Sequence, residues 1–400
     1  MVSTEVDYEN IKRFVEDSKK LIGTKATDVP QGVTDADWSS IQRYCAAMGD
    51  KNPLYNDAAG GVGTVYNTLI APPAFILSVR TPDSGAAYEQ QAYGLRRFSI
   101  RASAEWNDVI KMADRMVSDI NIAAVREGDS HSGRPTAEVD SEATYSTFNG
   151  AVFAKATGTV MLVPGMTTML VPYNEDDQLI QERDIHIYSD EEISELERDL
   201  DAVPLHRGET PLYWSEVAVQ DILPIMVKGP LYYNELAAWR LLEHKPAAID
   251  LGTVAHRTTM ERPGRITTNP STGWPYFDIE QAYGDILSVK ALGFKMPVSR
   301  GLMRFACAAQ YLTNWMGDLG FLRSLSINIP NHFCYQDTMR IRGEVVNKYI
   351  DKVGEEEYRA LEIRLTGHNQ LGESLIEGSA VVYLPERGFL VGLPVGNPWR

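Results

Sequence analysis

The chain of 400 residues repeats itself, and this repeat constrains the fold more than any other feature of the sequence. Segments 105–120 and 146–162 resemble segments 327–345 and 368–384, and a shorter match joins 69–75 to 295–301. The matched pairs are Asp114 with Asp337, Gly150 with Gly372 and Pro73 with Pro297. Their offsets of 223, 222 and 224 residues predict a duplicated unit. The alternative is that β-hairpins of unrelated origin look alike.

Each copy of the unit is predicted to contain two helices followed by strands. The first helix is expected at 34–48 in copy one, capped by Thr34 with Asp37 and with an apolar face of Trp38, Ile41 and Cys45. Its counterpart is expected at 231–244. Second helices are predicted at 72–79 and 301–316, and alternating strands follow them. An antiparallel sheet that wraps a helix is an α+β architecture.

The repeat also predicts the domain boundaries. We expect an N-terminal domain at 1–165, an acidic linker with a surface helix at 166–212 and a C-terminal domain at 213–400. The offset is near 197 at the first helix and about 222 downstream, so copy two carries an insertion of roughly 25 residues. This insertion lies between about 243 and 274 and contains His256.

Composition excludes several classes of protein. Hydrophobic residues make up 44% of the chain, which suffices for real cores, and the net charge of −16 argues against nucleic acid as a partner. The N-terminus lacks the basic and apolar regions of a signal peptide, and no stretch is long and apolar enough to span a membrane, so a cytoplasmic protein is expected. The three cysteines are predicted to be buried thiols, and no histidine pair has the spacing of a metal site.

Several motifs carry a family resemblance: GDKNPLY at 49–55, IAPPAF at 70–75, MVKGPLYYNELAAW at 226–239 and GFKMPVSRGLMRF at 293–305. They resemble MaoC-like acyl dehydratases with a double hotdog fold, which are similar to (R)-specific enoyl-CoA hydratases. The resemblance implies two hotdog domains in one chain, packed as a pseudo-dimer. It implies addition or removal of water across the Cα–Cβ bond of an acyl thioester. Coenzyme A would be the substrate carrier, with no other cofactor, and the protein would be a homo-oligomer, a dimer of double hotdogs.

The catalytic motif of such hydratases is G-D-x-N-P-x-H, and this chain departs from it at one position. Asp50 and Asn52 match the motif, whereas Tyr55 stands where the histidine is expected. A tyrosine donates a hydrogen bond but is a poor base at neutral pH. Tyr55 is therefore either a donor or a bystander, and the whole loop could be a structural turn. Two histidines are candidates to replace the missing base: His256 and His368.

Copy two does not supply the motif either. In its matching region, 273–278, Phe277 falls at the position of Tyr55, and Asp250 is only a candidate counterpart of Asp50. The predicted substrate-binding residues are Pro73, Arg300 and Gly301. Arg300 either binds a phosphate or carboxylate or forms a salt bridge.

The sequence therefore favours a lyase acting on an acyl thioester. Two alternatives stay open: a non-catalytic protein that binds acyl thioesters or stabilises a partner, and a hotdog thioesterase.

Overall fold

The structure is a computed structural model that describes residues 5–26, 31–61, 63–85, 93–129, 135–164, 184–202, 206–243, 266–267, 272–274, 277–278, 289 and 296–396. Its helices are α1 (Glu5–Lys19), α2 (Trp38–Met48), α3 (Pro53–Asn56), α4 (Ala58–Gly61), α5 (Ile76–Val79), α6 (Asp190–Ala202), α7 (Tyr233–Leu242) and α8 (Leu302–Met316), with 3-10 turns at Pro73–Phe75 and Trp214–Glu216. Its strands are β1 (Leu95–Trp106), β2 (Met116–Asp129), β3 (Pro135–Thr147), β4 (Val152–Pro164), β5 (Met226–Lys228), β6 (Ile266–Thr267), β7 (Phe277–Asp278), β8 (Phe321–Asn328), β9 (Met339–Val353), β10 (Glu356–Asn369) and β11 (Ser374–Tyr383).

Nine of the described strands form one antiparallel sheet in the order β2-β3-β4-β1-β8-β11-β10-β9-β5. The first four strands and the next four have the same order, reflected about the pair β1–β8. A helix-bearing unit with this strand order therefore occurs twice, and the two units share one sheet. This confirms the predicted α+β class, with two hotdog domains side by side in one chain.

Local geometry confirms two of the three matches that define the repeat. Each aspartate side chain accepts a hydrogen bond from the backbone N–H three residues earlier, at 2.7 Å for Asp114 and 3.3 Å for Asp337. Gly150 and Gly372 occupy equivalent hairpin turns with φ of 88° and 78°, a left-handed conformation that glycine adopts without strain.

The third match is wrong by four residues. In the first half, Ile70 forms an isolated β-bridge with Lys111. In the second half, Val298 forms the equivalent β-bridge with Cys334, which lies 223 residues after Lys111. Val298 is therefore the counterpart of Ile70, and Pro73 corresponds to Gly301 and not to Pro297. Both residues stand at the start of the central helix of their half.

The start of α2 also differs from the prediction. The helix begins at Trp38, and Asp37 caps it by accepting a hydrogen bond from the backbone N–H three residues later, at 3.0 Å. Thr34 lies outside the helix. Ile41 and Cys45 are buried as expected, but the side chain of Trp38 is 43% exposed and does not belong to the apolar face.

The helices cover one face of the sheet and join the two halves. α2 packs against α7, with the rings of Tyr44 and Trp239 edge to face at 6.5 Å. α8 is buried along almost its whole length, and a single core cluster contains residues from both halves. α1 covers the outer strands of the first half through Ile11, Phe14 and Val15. The surface helix predicted between the halves is α6, in which only Leu196 is buried.

All three cysteines lie in the described part of the chain, and each is buried and outside any disulfide, as predicted. None of the helices described here combines the length and the apolar character needed to cross a membrane.

Candidate active site

The GDKNPLY loop is shaped by its own residues. α2 ends at Met48 and is capped by Gly49, whose φ of 62° is left-handed. The carboxylate of Asp50 accepts a hydrogen bond from the Asn52 N–H at 3.0 Å, and the Asn52 side-chain oxygen caps α3 by accepting one from the Leu54 N–H at 3.1 Å. Pro53 starts α3 at a position that needs no N–H donor. The loop thereby holds Asp50 and Asn52 in fixed, buried positions, 2% and 1% exposed.

Asp50 lines a cavity between the two halves. The first half contributes Asp50 and Pro73 to its wall, and the second half contributes the side of α8 that carries Gln310 and Thr313. The cavity measures about 10 Å³, close to the space that one water molecule needs. The complete lining is Tyr44, Met48, Asp50, Pro72, Pro73, Ala74, Ala306, Ala309, Gln310 and Thr313.

An apolar slot of about 30 Å³ lies next to this cavity, and Pro73 lines both. Tyr55 contributes to the wall of the slot together with Trp106 and Phe321, which again come from different halves. The adjoining cavities combine a carboxyl group at one place with an apolar surface beside it. Such a pairing suits a ligand that has one polar and one apolar end.

The surroundings of Asp50 have opposing effects on its pKa. Burial raises the pKa of Asp50 above its ordinary value, because the carboxylate loses its hydration. The hydrogen bond from the Asn52 N–H and the charges of Lys228 and His206 oppose this effect. The Lys228 ammonium is held in place by hydrogen bonds to the Met48 carbonyl oxygen at 2.7 Å and to the Gln310 side chain at 2.6 Å. Asp50 is therefore a buried acid with cationic groups arranged around it.

The protonation of the Tyr55 phenol is less ambiguous than that of the Asp50 carboxyl group. It is 2% exposed, and burial raises the pKa of its phenol well above the ordinary value. Its side chain hydrogen-bonds Thr313 on α8. Tyr55 is therefore a neutral group at physiological pH, able to donate a hydrogen bond but not to act as a base.

Two further residues at this site were missed in the sequence. Burial raises the pKa of Asp318, just beyond the end of α8, and a side-chain hydrogen bond from Asn52 and the charge of His206 oppose the shift. His206 belongs to the segment that the sequence assigned to the linker. Its Nδ1 atom is buried, and no described residue makes a hydrogen bond to it. Asp318 resembled a turn residue and His206 lies in no motif, so no local pattern indicated either.

The other predicted site residues lie elsewhere. Arg300 forms a salt bridge with Glu243, whose side chain is 3% exposed, so the salt-bridge interpretation is the one the structure supports. A Cβ atom on Gly301 would lie 2.8 Å from Cβ of Ser99, which makes this glycine a packing requirement. His368 is exposed on β10. The prediction for His256 falls outside the described residues, as does that for Asp250.

Comparison with known proteins places this architecture in context. Residues 20–155 match the family described as "FAS1-like, dehydratase domain region". UPF0336 protein SCO4636 of Streptomyces coelicolor is 26% identical over 95 residues, which are 22% of this chain and 59% of that protein's length. The match thus spans little more than half of the relative.

One solved structure extends the likeness in fold to most of the chain. A MaoC-like dehydratase superposes with a TM-score of 0.59 at 14% identity, covering 92% of this chain and 99% of that one. A MaoC-like dehydratase from Phytophthora capsici gives a TM-score of 0.45 at 11% identity, covering 88% and 95%. Residues 20–155 thus match a dehydratase domain family, and the fold of the chain resembles that of the MaoC-like dehydratase, as the sequence predicted.

Proposed function

We propose that this protein is a hydro-lyase that adds water to, or removes it from, the Cα–Cβ bond of an acyl thioester. The observation that carries the proposal is the position of Asp50, a buried carboxyl group at a cavity between two hotdog domains. Coenzyme A is the proposed carrier of the acyl group. The family match at residues 20–155, which includes the Asp50 loop, supports the same reaction class.

Asp50 and Tyr55 are assigned different roles in the proposed reaction. Hydration needs a group that takes a proton from water as its oxygen bonds to Cβ, and Asp50 is the group with access to a water-sized space. Tyr55 is assigned the role of hydrogen-bond donor, because its phenol stays protonated. The apolar slot beside it is the proposed place for the acyl chain, and it must widen to admit one.

The experiment is an activity assay of the purified protein on short, branched and aromatic enoyl-CoAs, followed by Asp50→Asn. This substitution keeps the size and polarity of the side chain and removes the base. We expect turnover to fall by about 10²–10⁴-fold, the usual contribution of a general acid–base group. Unchanged turnover in Asp50→Asn would remove Asp50 from the mechanism, and no turnover of any substrate by the unmodified protein would reject the hydro-lyase.

A second candidate function is acyl-thioester binding without catalysis. Two observations favour it: Tyr55 replaces the expected histidine, and the cavity at Asp50 has space for only about one water molecule. Isothermal titration with the same enoyl-CoAs and with saturated acyl-CoAs separates the two functions. Binding of both classes without conversion of either supports the binding protein.

A further inference from the structure

We propose that His206, on the connection between the two halves, is the positioning residue that takes over the electrostatic role of the histidine missing at position 55. It would act through the carboxyl groups of Asp50 and Asp318. This inference rests on the proposed function and deepens it, because it identifies the group that keeps the proposed base ready to accept a proton.

The first argument is the way in which the chain holds His206. The next residue, Arg207, donates its backbone N–H to the Asn314 carbonyl oxygen at 2.8 Å and its side-chain Nε–H to the Trp315 carbonyl oxygen at 2.7 Å. The Asp318 N–H donates to the Gly208 carbonyl oxygen at 3.0 Å. The two residues that follow His206 are thus fastened to the end of α8, next to Asp318.

The second argument is that His206 and Asp318 each bury a polar atom that lacks a hydrogen-bond partner among the described residues. The Nδ1 atom of His206 is buried without a hydrogen-bond partner among the described residues. One oxygen of the Asp318 carboxyl group, Oδ1, is also buried and also lacks such a partner. Unpaired buried polar atoms are costly and uncommon in folded proteins. Here two of them belong to groups of opposite charge type that interact electrostatically.

The third argument is the set of charges around the two carboxyl groups. Asp50 lies on the loop after α2, Asp318 after α8, Lys228 on β5, and His206 with Glu209 on the connection. A protonated His206 and Lys228 favour the ionised form of Asp50, while burial disfavours it. Lys228 is held by hydrogen bonds to Gln310 and to a backbone carbonyl, and His206 is the second basic group that acts on Asp50.

The proton balance of the proposed reaction fits this role. Water gives one proton to the Asp50 carboxylate while its oxygen forms the bond to Cβ. The electron pair of the double bond moves to Cα and takes a proton back from Asp50, so the carboxylate is regenerated. His206 exchanges no proton with the substrate. It holds Asp50 in the ionised form that starts the cycle.

The test combines kinetics with a measurement that needs no activity. In His206→Gln, kcat/KM at pH 6 should fall by at least about tenfold, and the acidic limb of its pH profile should move to higher pH. The matched control is His186→Gln, which removes a histidine of the same connection that pairs with Glu192. This control should keep the profile of the unmodified protein. A profile of His206→Gln that is scaled down without a shift would show a structural role only and would overturn the proposal.

The second measurement follows the imidazole signals of His206 by NMR in the unmodified protein, in Asp50→Asn and in Asp318→Asn. Loss of a nearby carboxylate should move the titration midpoint of His206 to lower pH, by about half a unit or more in at least one variant. No movement in either variant would overturn the proposal, even if His206→Gln does not fold. Absence of turnover by the unmodified protein would instead reject the hydro-lyase, so the two failures are distinguishable.

Discussion

At the scale of single residues, the site is built from side chains that burial makes less stable in their charged form. Burial raises the pKa of both Asp50 and Asp318, and the same effect raises the pKa of Glu243 at the salt bridge with Arg300. Glu243 is held by its salt bridge, whereas an amide in place of Asp50 would fill the same space without the cost of a buried charge. Function is the better explanation for Asp50.

The cost of keeping Asp50 is measurable. Because its pKa is higher in the folded chain than in the unfolded one, its contribution to stability is fully present at low pH and is lost as the pH rises through the folded-state value. Asp50→Asn keeps the acceptor for the Asn52 N–H and cannot ionise. We therefore expect its melting temperature to exceed that of the unmodified protein by about 1–3 °C at pH 8, and not at pH 3.5. Asp201→Asn, on the exposed end of α6, controls for the change in net charge; an equal gain there would contradict the explanation.

Tyr55→Phe tests whether the phenol reacts. The substitution keeps the ring in the wall of the apolar slot and removes the hydrogen bond with Thr313. We expect a loss of about 0.5–1.5 kcal/mol in the free energy of unfolding, together with a fall in kcat much smaller than that of Asp50→Asn. Chemical denaturation and the enoyl-CoA assay give the two numbers. A loss of rate as large as that of Asp50→Asn would make the Tyr55 hydroxyl a reacting group.

The sequence predicted the site as far as local chemistry defines it. Gly49, Asp50 and Asn52 fold their loop through bonds to residues at most six positions away, so the motif carries its own geometry. His206 and Asp318 reach the loop only through the docking of distant segments. No sequence pattern near His206 or Asp318 indicates that these residues approach the Asp50 loop.

At the scale of elements, α8 organises the molecule. It forms one wall of the cavity at Asp50, and its start lies against β1 of the other half, where Gly301 meets Ser99. The sequence predicted this helix at 301–316, because an apolar stretch of that length with glycine at both ends is typical of a buried helix. The sequence-based alignment of the segment before it failed, because proline recurs in loops and is a weak marker of register.

Gly301→Ala tests the close approach of α8 to β1. A Cβ atom there would lie 2.8 Å from the Ser99 Cβ and 2.9 Å from its carbonyl oxygen, and the backbone of a central strand cannot easily move aside. We expect a loss of about 1–3 kcal/mol in stability, measured by chemical denaturation. In a double-mutant cycle, Ser99→Gly should recover part of the loss by removing the Cβ contact. Wild-type stability of Gly301→Ala would show that the approach is not tight.

At the scale of the whole molecule, the two halves are joined by a continuous sheet and a common core. β1 and β8 pair from Arg101 opposite Asn328 to Glu105 opposite Ser324, and the candidate site lies where the helices of both halves meet. Neither half could keep the cavity at Asp50 alone, since each supplies one wall. The resemblance to double-hotdog proteins implied this pseudo-dimer, in which two units of one fold bury their matching edges against each other.

This arrangement predicts that the two halves unfold together, and Leu325 at the junction tests it. Leu325 is fully buried on β8, between Ala104 of the first half and Ala380 of the second. Leu325→Ala should cost about 2–5 kcal/mol through lost apolar burial and the cavity it leaves. If unfolding is cooperative, this loss appears equally in both halves.

Urea unfolding followed by hydrogen exchange and mass spectrometry reports on the two halves separately, through peptides from β2–β3 and from β9–β10. The midpoint of both should fall by the same amount in Leu325→Ala, while Ile222→Ala, whose side chain is 67% exposed, should leave both unchanged. A shift confined to β9–β10 would mean that the first half is stable without its partner. The cavity at Asp50 could then open without global unfolding, and the shared wall would be a contact between two independent domains.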